Sequence, residues 1–221
     1  MGLEKHYGMN INQLVKSKFF SQRLGKRKSY QVFGRNQLLW DLGLDVFDMS
    51  KKDKIKEKIK SLDNEFDLVL IAERFDESLL LLQNLLCWKI SDMSYLKLNE
   101  RVAKSKTKMS FETRKILKNW LWADFLLYDH FKTKLDSILN NLSRQEFQSR
   151  LTSFHFENAQ VFADCVIVKG DNKFLRGKFK MALPIVLGYV TDENKPGCED
   201  YAISEPNFAM MLHDKQNKGP G

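Results

Sequence analysis

The densest group of side chains able to do chemistry is Glu73, Arg74, Asp76 and Glu77. They follow Leu68-Val69-Leu70-Ile71-Ala72, an apolar run with no polar break, whose pattern predicts a strand buried on both faces, as in a parallel sheet. Open α/β sheets place their ligand crevices at the carboxyl ends of such strands. A carboxylate there serves as a general base or binds sugar hydroxyls. The same charges equally serve to cap the helix that follows. Lys97, Asn99 and Arg101 close a second short strand candidate, Tyr95 to Arg101, and are the types that hold phosphate or sulfate oxygens. Asp124, Tyr128 and Lys132 recur at a spacing of four, so they share a helix face, with His130 nearby. Polar groups beside a bulky aromatic stripe line a sugar site, or form an ordinary hydrogen-bonded edge of the core.

No self-contained catalytic motif stands out elsewhere. GxSxG, HExxH, GxGxxG and GxxxxGK[ST] are all absent, and His6, His130, His155 and His213 are scattered. Cys87, Cys165 and Cys198 show no zinc-ligand spacing, so no metal is expected. Cys87 lies in an apolar helical pattern and reads as a buried free thiol. Cys165 and Cys198 pair if the chain folds in an oxidising compartment. Asn141-Leu142-Ser143 is a glycosylation sequon, meaningful in a secretory protein. The formal net charge of +8 favours an anionic partner or a solvated basic surface. Nucleic acid is not the expected partner, because no zinc finger, helix-turn-helix or base-stacking aromatic motif accompanies the lysines.

With 221 residues, 43% of them hydrophobic and 12% aromatic, the chain can bury an adequate core. Residues 1–30 read as a basic segment with a short helix from Ile11 to Phe20, followed by an exposed loop around Gly25-Lys26-Arg27-Lys28. Met49 to Ser61 reads as an exposed lysine-rich helix held by Ile55, Ile59 and Leu62. Ser78 is a candidate cap for a helix burying Leu79, Leu82, Leu86 and Trp88. Ser110 is a candidate cap for one long amphipathic pattern from Phe111 to about Leu139. Phe147 to Asp164 reads as helical, 165–170 and 184–189 as short buried segments, and Ser204-Glu205-Pro206 as the start of a last helix. No stretch reaches the roughly 18 apolar residues of a membrane span.

Several blocks together carry a resemblance. RNQLLWDLGLD at 35–45, FDLVLIAERFDESLLLLQNLLCW at 66–88, YLKLNER at 95–101 and MSFETRKILKNWLWADFLLYDHF at 109–131 resemble the galactose 3-O-sulfotransferases, the family that includes galactosylceramide sulfotransferase. PIVLGY at 184–189, Cys198 and SEPNFAMML at 204–212 extend the likeness to the carboxyl end. The resemblance implies a P-loop-like α/β fold, a parallel sheet flanked by helices. It also implies a Golgi type II membrane enzyme that moves sulfate from 3′-phosphoadenosine 5′-phosphosulfate to the 3-hydroxyl of galactose on glycolipids or glycans. Such an in-line transfer needs a base on the hydroxyl and cations on the departing phosphosulfate. On this reading Glu73 and Asp76 face the acceptor with Arg35 and Asn36 organising its loop, Glu73 is the candidate catalytic carboxylate, and Lys97 and Arg101 hold the donor. A luminal location gives meaning to glycosylation of Asn141 and to a Cys165–Cys198 bridge.

The likeness begins after the family's membrane anchor, its lysine- and serine/threonine-rich donor loop and its 3′-phosphate element. The expectation is therefore a fold incomplete at its amino-terminal side: a basic segment at 1–29, the carboxyl-terminal part of a sulfotransferase domain at 30–216, and a frayed tail at 217–221. Such a piece is expected to be inactive alone, with the membrane reached through an anchor upstream. The alternative is a non-catalytic isoform that binds glycan or a partner.

Overall fold

The computed structural model describes residues 10–17, 35–181, 183 and 185–217. The lysine/arginine loop at 25–28, most of the 1–29 segment, Pro184 and the last four residues lie outside them. The described residues form helices and one small sheet, divided between two compact units. One unit joins the described residues up to Leu82 to Thr107–Glu146; the other joins Gln83–Lys106 to the described residues from Phe147 onward.

The first unit is helical. α1 (Ile11–Lys16) opens at Asn10, whose side chain accepts the Gln13 N–H at 3.1 Å while the Gln13 side chain accepts the Asn10 N–H. Its buried Leu14 and Val15 pack on Ile116, Leu117 and Trp120. α2 (Gln37–Asp41) is a short helix entered through Asn36. α3 (Lys52–Glu65) buries Ile55, Ile59 and Leu62, one stripe at helical spacing, and leaves Lys52, Lys54, Lys56 and Lys60 exposed. α4 (Phe75–Leu86) begins in this unit. The long amphipathic pattern proves to be two helices, α5 (Phe111–Trp120) and α6 (Trp122–Asn140). Ser110 caps α5, accepting the Thr113 N–H at 3.1 Å. Leu121 interrupts the pattern at φ −99°, ψ 23°, while its N–H still reaches the Leu117 carbonyl at 2.8 Å, so the chain bends without losing that hydrogen bond.

In the second unit α7 (Arg144–Cys165) runs directly into β1 (Val166–Asp171), which pairs antiparallel with β2 (Leu187–Thr191). Lys169 stands opposite Tyr189, and Asp171 opposite Leu187. The chain just before β2 also receives Arg101 as an isolated antiparallel bridge to Val186, with Val102 N–H on the Ile185 carbonyl at 2.9 Å. Leu96, Phe179, Tyr189 and Ala202 form the buried core beneath. Cys165 and Cys198 are disulfide-bonded, their Cα atoms 5.2 Å apart. α8 (Glu205–Asn217) closes the described chain.

Several expectations need correction. The parallel sheet is not seen: the one sheet among the described residues is the antiparallel β1–β2 pair. Leu68 to Ile71 is extended, as Phe66 (φ −102°, ψ 123°) and Ile71 (φ −105°, ψ 117°) show, but Leu68, Val69 and Leu70 form no hydrogen bond with any described residue. A ladder needs a neighbour, and apolarity alone does not supply one. Leu70 and Ala72 are exposed rather than buried, and Ala72–Arg74 winds as a 3₁₀ turn. The second candidate strand, Tyr95 to Arg101, meets the sheet at its end: the Glu100 carbonyl accepts the Leu187 N–H at 2.6 Å, and Arg101 bridges Val186 just before β2. Ser78 is not a cap; it lies inside α4, where its hydroxyl accepts the Ile71 N–H at 3.1 Å. The fully buried face of α4 is therefore Ser78, Leu80 and Leu81, while Leu86 and Trp88 are exposed. Cys87 is exposed, because it takes the left-handed conformation (φ 55°) that ends α4 and turns its side chain outward.

Candidate functional site

The strongest site lies in the first unit, where the extended segment passes into α4 beside α2 and α6. A cavity of about 550 Å³ is lined by Leu38 and Leu42 of α2, Phe66, the run Leu68 to Glu73, and Leu127, Tyr128 and Phe131 of α6. Its walls are aliphatic and aromatic, and its polar side chains are the Glu73 carboxylate and the Tyr128 hydroxyl.

Each polar group is placed by an identifiable local cause. The hydroxyl of Ser78 holds the Ile71 end of the extended segment against α4. Arg74, next to Glu73, is locked in place: its Nη2 donates to Glu77 Oε1 at 2.7 Å, its Nε to Glu77 Oε2, and its Nη1 to Asp136. Lys132 donates to the other Asp136 oxygen at 2.7 Å. The hydrogen bond to Glu77 and the neighbouring carboxylates raise the Arg74 pKa against the effect of burial, and Lys132 together with Arg74 lowers that of Asp136. This network clamps the 3₁₀ turn to α6 and leaves Glu73 out. Glu73 is exposed at the cavity wall and makes no ion pair or hydrogen bond with a described residue. A carboxylate lining an apolar cavity without a protein partner can accept a proton or a hydroxyl hydrogen bond.

Asn36 and Arg35 act differently. Asn36 is 0% exposed and left-handed (φ 49°), and its Oδ1 accepts the Asp124 N–H at 3.4 Å. Asp124 returns the tie: its carboxylate accepts the N–H groups of Leu38 and Leu39 at 3.2 and 3.1 Å, at the start of α2. Burial raises the Asp124 pKa against the pull of those amides. The pair fixes α2 beside the first turn of α6, so Asn36 positions the cavity wall. Asn36 Nδ2 and Arg35 Nε are buried with no hydrogen-bond partner. Asp76 is half-buried in the first turn of α4 and is not among the cavity-lining residues.

Lys97 and Arg101 belong to the second unit, and both are exposed. Lys97 lies close enough to Glu100 to help depress its pKa, after Lys106, the main cause. The Arg101 guanidinium has no ion pair or hydrogen bond among the described residues. Asn141 is exposed in the short connection from α6 to α7.

The helix face expected to carry Asp124, Tyr128 and Lys132 is present on α6, but its members do three jobs: Asp124 holds α2, Tyr128 lines the cavity and Lys132 pairs with Asp136. His130 points elsewhere, 3.3 Å from Asp63 of α3. Sequence reasoning did not single out the Asp63–Lys134 pair or the Arg74–Asp136 pair; both are long-range partners, which local spacing does not signal. Among the described residues, no group of His, Cys, Asp and Glu is placed to hold a metal ion, and no helix is long and apolar enough to cross a membrane.

Comparison with known proteins places these features in a class. The family model for galactose-3-O-sulfotransferase matches residues 18–180. Galactose-3-O-sulfotransferase 2 of Homo sapiens is 36% identical over 104 residues, covering 47% of this chain and 26% of that protein. Galactosylceramide sulfotransferase of Bos taurus is 33% identical over 132 residues, 60% of this chain and 31% of that protein. Galactose-3-O-sulfotransferase 2 of Sus scrofa is 30% identical over 149 residues, 67% of this chain and 37% of that protein. No solved structure matches the chain. The class these matches define is that of the sulfotransferases. The chain belongs to the galactose-3-O-sulfotransferase family. It spans about a quarter to just over a third of the length of these relatives.

Proposed function

We propose that the protein takes part in sulfate transfer from 3′-phosphoadenosine 5′-phosphosulfate to the 3-hydroxyl of a terminal galactose, and that the cavity beside Glu73 receives the acceptor. The observation that carries this reading is a carboxylate with no partner among the described residues, beside a phenol hydroxyl in an otherwise apolar cavity. Sugar recognition uses a few polar groups and apolar faces, and the long apolar wall suits an acceptor whose galactose is joined to a hydrophobic aglycone. In the reaction the galactose oxygen forms a bond to sulfur as the bond from sulfur to the phosphate oxygen breaks. Glu73 takes the hydroxyl proton.

Lys97 and Arg101 fit the donor's anionic groups, since both are exposed cations and the Arg101 guanidinium has no partner among the described residues. The same reading assigns residues 30–216 to the carboxyl-terminal part of a sulfotransferase domain. It also places the protein on the luminal side of the Golgi, where Asn141 is glycosylated and the Cys165–Cys198 bond persists. The test is to express the complete gene in cells lacking galactose sulfation and to measure labelled sulfate on galactose-terminated glycolipids and on glycans. Incorporation into galactose, blocked when the 3-hydroxyl is methylated, is expected. Absence of incorporation with folded protein present overturns the reading.

A further inference from the structure

Where α3 packs on α6, the first unit carries a second group of polar side chains, and none of them lines the Glu73 cavity. Two adjoining depressions, of about 310 and 670 Å³, share Asp63, Leu126 and His130 and so form one groove along the two helices. Its centre is preorganised. Lys134 donates to Asp63 Oδ1, and His130 Nε2 stands 3.3 Å from Asp63 Oδ2. The His130 ring is set edge-on to Phe131, with 5.1 Å between centroids. The hydrogen bond from Lys134 first, and His130 after it, hold the Asp63 pKa below its ordinary value against the effect of burial. The central carboxylate is therefore ionised and engaged at both oxygens, while His130 Nδ1 has no partner among the described residues.

The two ends of the groove differ. At one, Lys56 and Lys60 stand one helical turn apart on α3, and neither ammonium has an ion pair or hydrogen bond among the described residues. At the other, the Asp129 carboxylate and the Ser137 hydroxyl are exposed and also without partners among the described residues. Between them the floor is aliphatic, formed by Ile59 and by Leu126, which is 40% exposed. Ammoniums on flexible stems suit the oxygens of a sulfate or phosphate ester, and a protonated His130 adds a further donor. A carboxylate and a hydroxyl beside an aliphatic floor suit the hydroxyls and the C–H face of a pyranose. A polyanion would meet the Asp129 charge, and a neutral sugar would leave both lysines unused. We propose that the groove between α3 and α6 binds a sugar carrying a sulfate or phosphate monoester, with the ester on Lys56, Lys60 and His130 and the ring hydroxyls on Asp129 and Ser137. This inference stands apart from the acceptor reading, since it uses none of the Glu73 cavity residues.

Histidine ring NMR of the full chain tests it, with galactose 6-sulfate and galactose 6-phosphate as probes at fixed pH and ionic strength. The His130 signal should move saturably with either ester, while those of His6, His155 and His213 stay in place and report an intact fold. Galactose alone and inorganic sulfate alone should each bind at least about ten-fold more weakly than the esters. Lys56→Glu and Lys60→Glu should each weaken ester binding by about ten-fold or more, and Asp129→Ala by about five-fold. Lys52→Glu, the same charge change at an exposed position of α3 outside the groove, should alter it less than about two-fold. Binding of either ester supports the proposal, and the tighter of the two identifies the anion. A His130 signal that does not move overturns it. So does inorganic sulfate binding as tightly as the esters, or a Lys52→Glu loss equal to that of Lys60→Glu, since either result leaves only diffuse attraction of anions. The readout is binding, so a failure of sulfate transfer leaves this result standing, and the reverse holds too.

Discussion

Among single residues, Glu73 and Asn36 illustrate how different two site candidates can be. Glu73 has no partner among the described residues, so removing its charge should leave folding intact and act on turnover. Glu73→Gln in the complete enzyme is expected to lower kcat by about 10²- to 10⁴-fold with an unchanged melting temperature. Unchanged turnover would remove the carboxylate from the chemistry, and a lost fold would make it structural. Asn36 is the opposite case. It is fully buried, bonded to the α6 backbone and left-handed, so Asn36→Ala should cost about 1–3 kcal/mol, seen as a lower urea midpoint. The type of these residues was legible in the sequence. The burial of Asn36 was not, because it depends on Asp124, 88 positions away.

At the scale of elements, the turn before α4 is held by ions and the carboxyl-terminal unit by a covalent bond. Asp136 has a depressed pKa in the folded protein, so its pairing with Lys132 and Arg74 stabilises above the ordinary carboxylate range and is lost as pH falls through the folded value. Asp124, raised by burial, works the other way and favours the folded state at low pH. Asp136→Asn should therefore flatten the acid side of the stability profile measured by circular dichroism, while Asp124→Asn should steepen it. Reducing the Cys165–Cys198 bond, which closes a loop of 33 residues, should lower stability by about 3 kcal/mol, visible in calorimetry with and without reductant. Helices with strong apolar stripes, such as α3 with Ile55, Ile59 and Leu62, were legible from the sequence alone. Leu68 to Ile71 was not, since its residues have strand character whether or not a neighbouring strand is present to pair with them. The break at Leu121 was equally hidden, because its helical hydrogen bonds continue through the bend.

Over the whole molecule, the family was written in ordered blocks of sequence, and the match over residues 18–180 bears it out for the blocks between 35 and 131. The arrangement of those blocks into units was not. Each unit is assembled from two separated stretches of chain, with the 83–106 stretch belonging to the second unit although it lies between the two parts of the first. Tight spacing and the absence of a flexible linker gave no sign of this. The exposed sequon offers a check at this scale: secreted through the endoplasmic reticulum, the protein should lose the mass of one glycan on treatment with a peptide N-glycosidase, and Asn141→Gln should abolish that shift.

That interleaving also sets a timetable for synthesis. As the polypeptide leaves the ribosome, α2 and α3 emerge well before α6, the helix that fixes α2 through Asp124, with 85 positions between Leu39 and that residue. The first unit therefore waits for residues up to Glu146, while the stretch at 83–106 waits longer still for its own sheet. With translation running at roughly 5–20 residues per second, several seconds pass in which apolar surfaces from both units are exposed together. Nascent chains arrested near residue 110 should be protease-sensitive throughout, and those arrested far enough beyond Glu146 should protect the first unit alone.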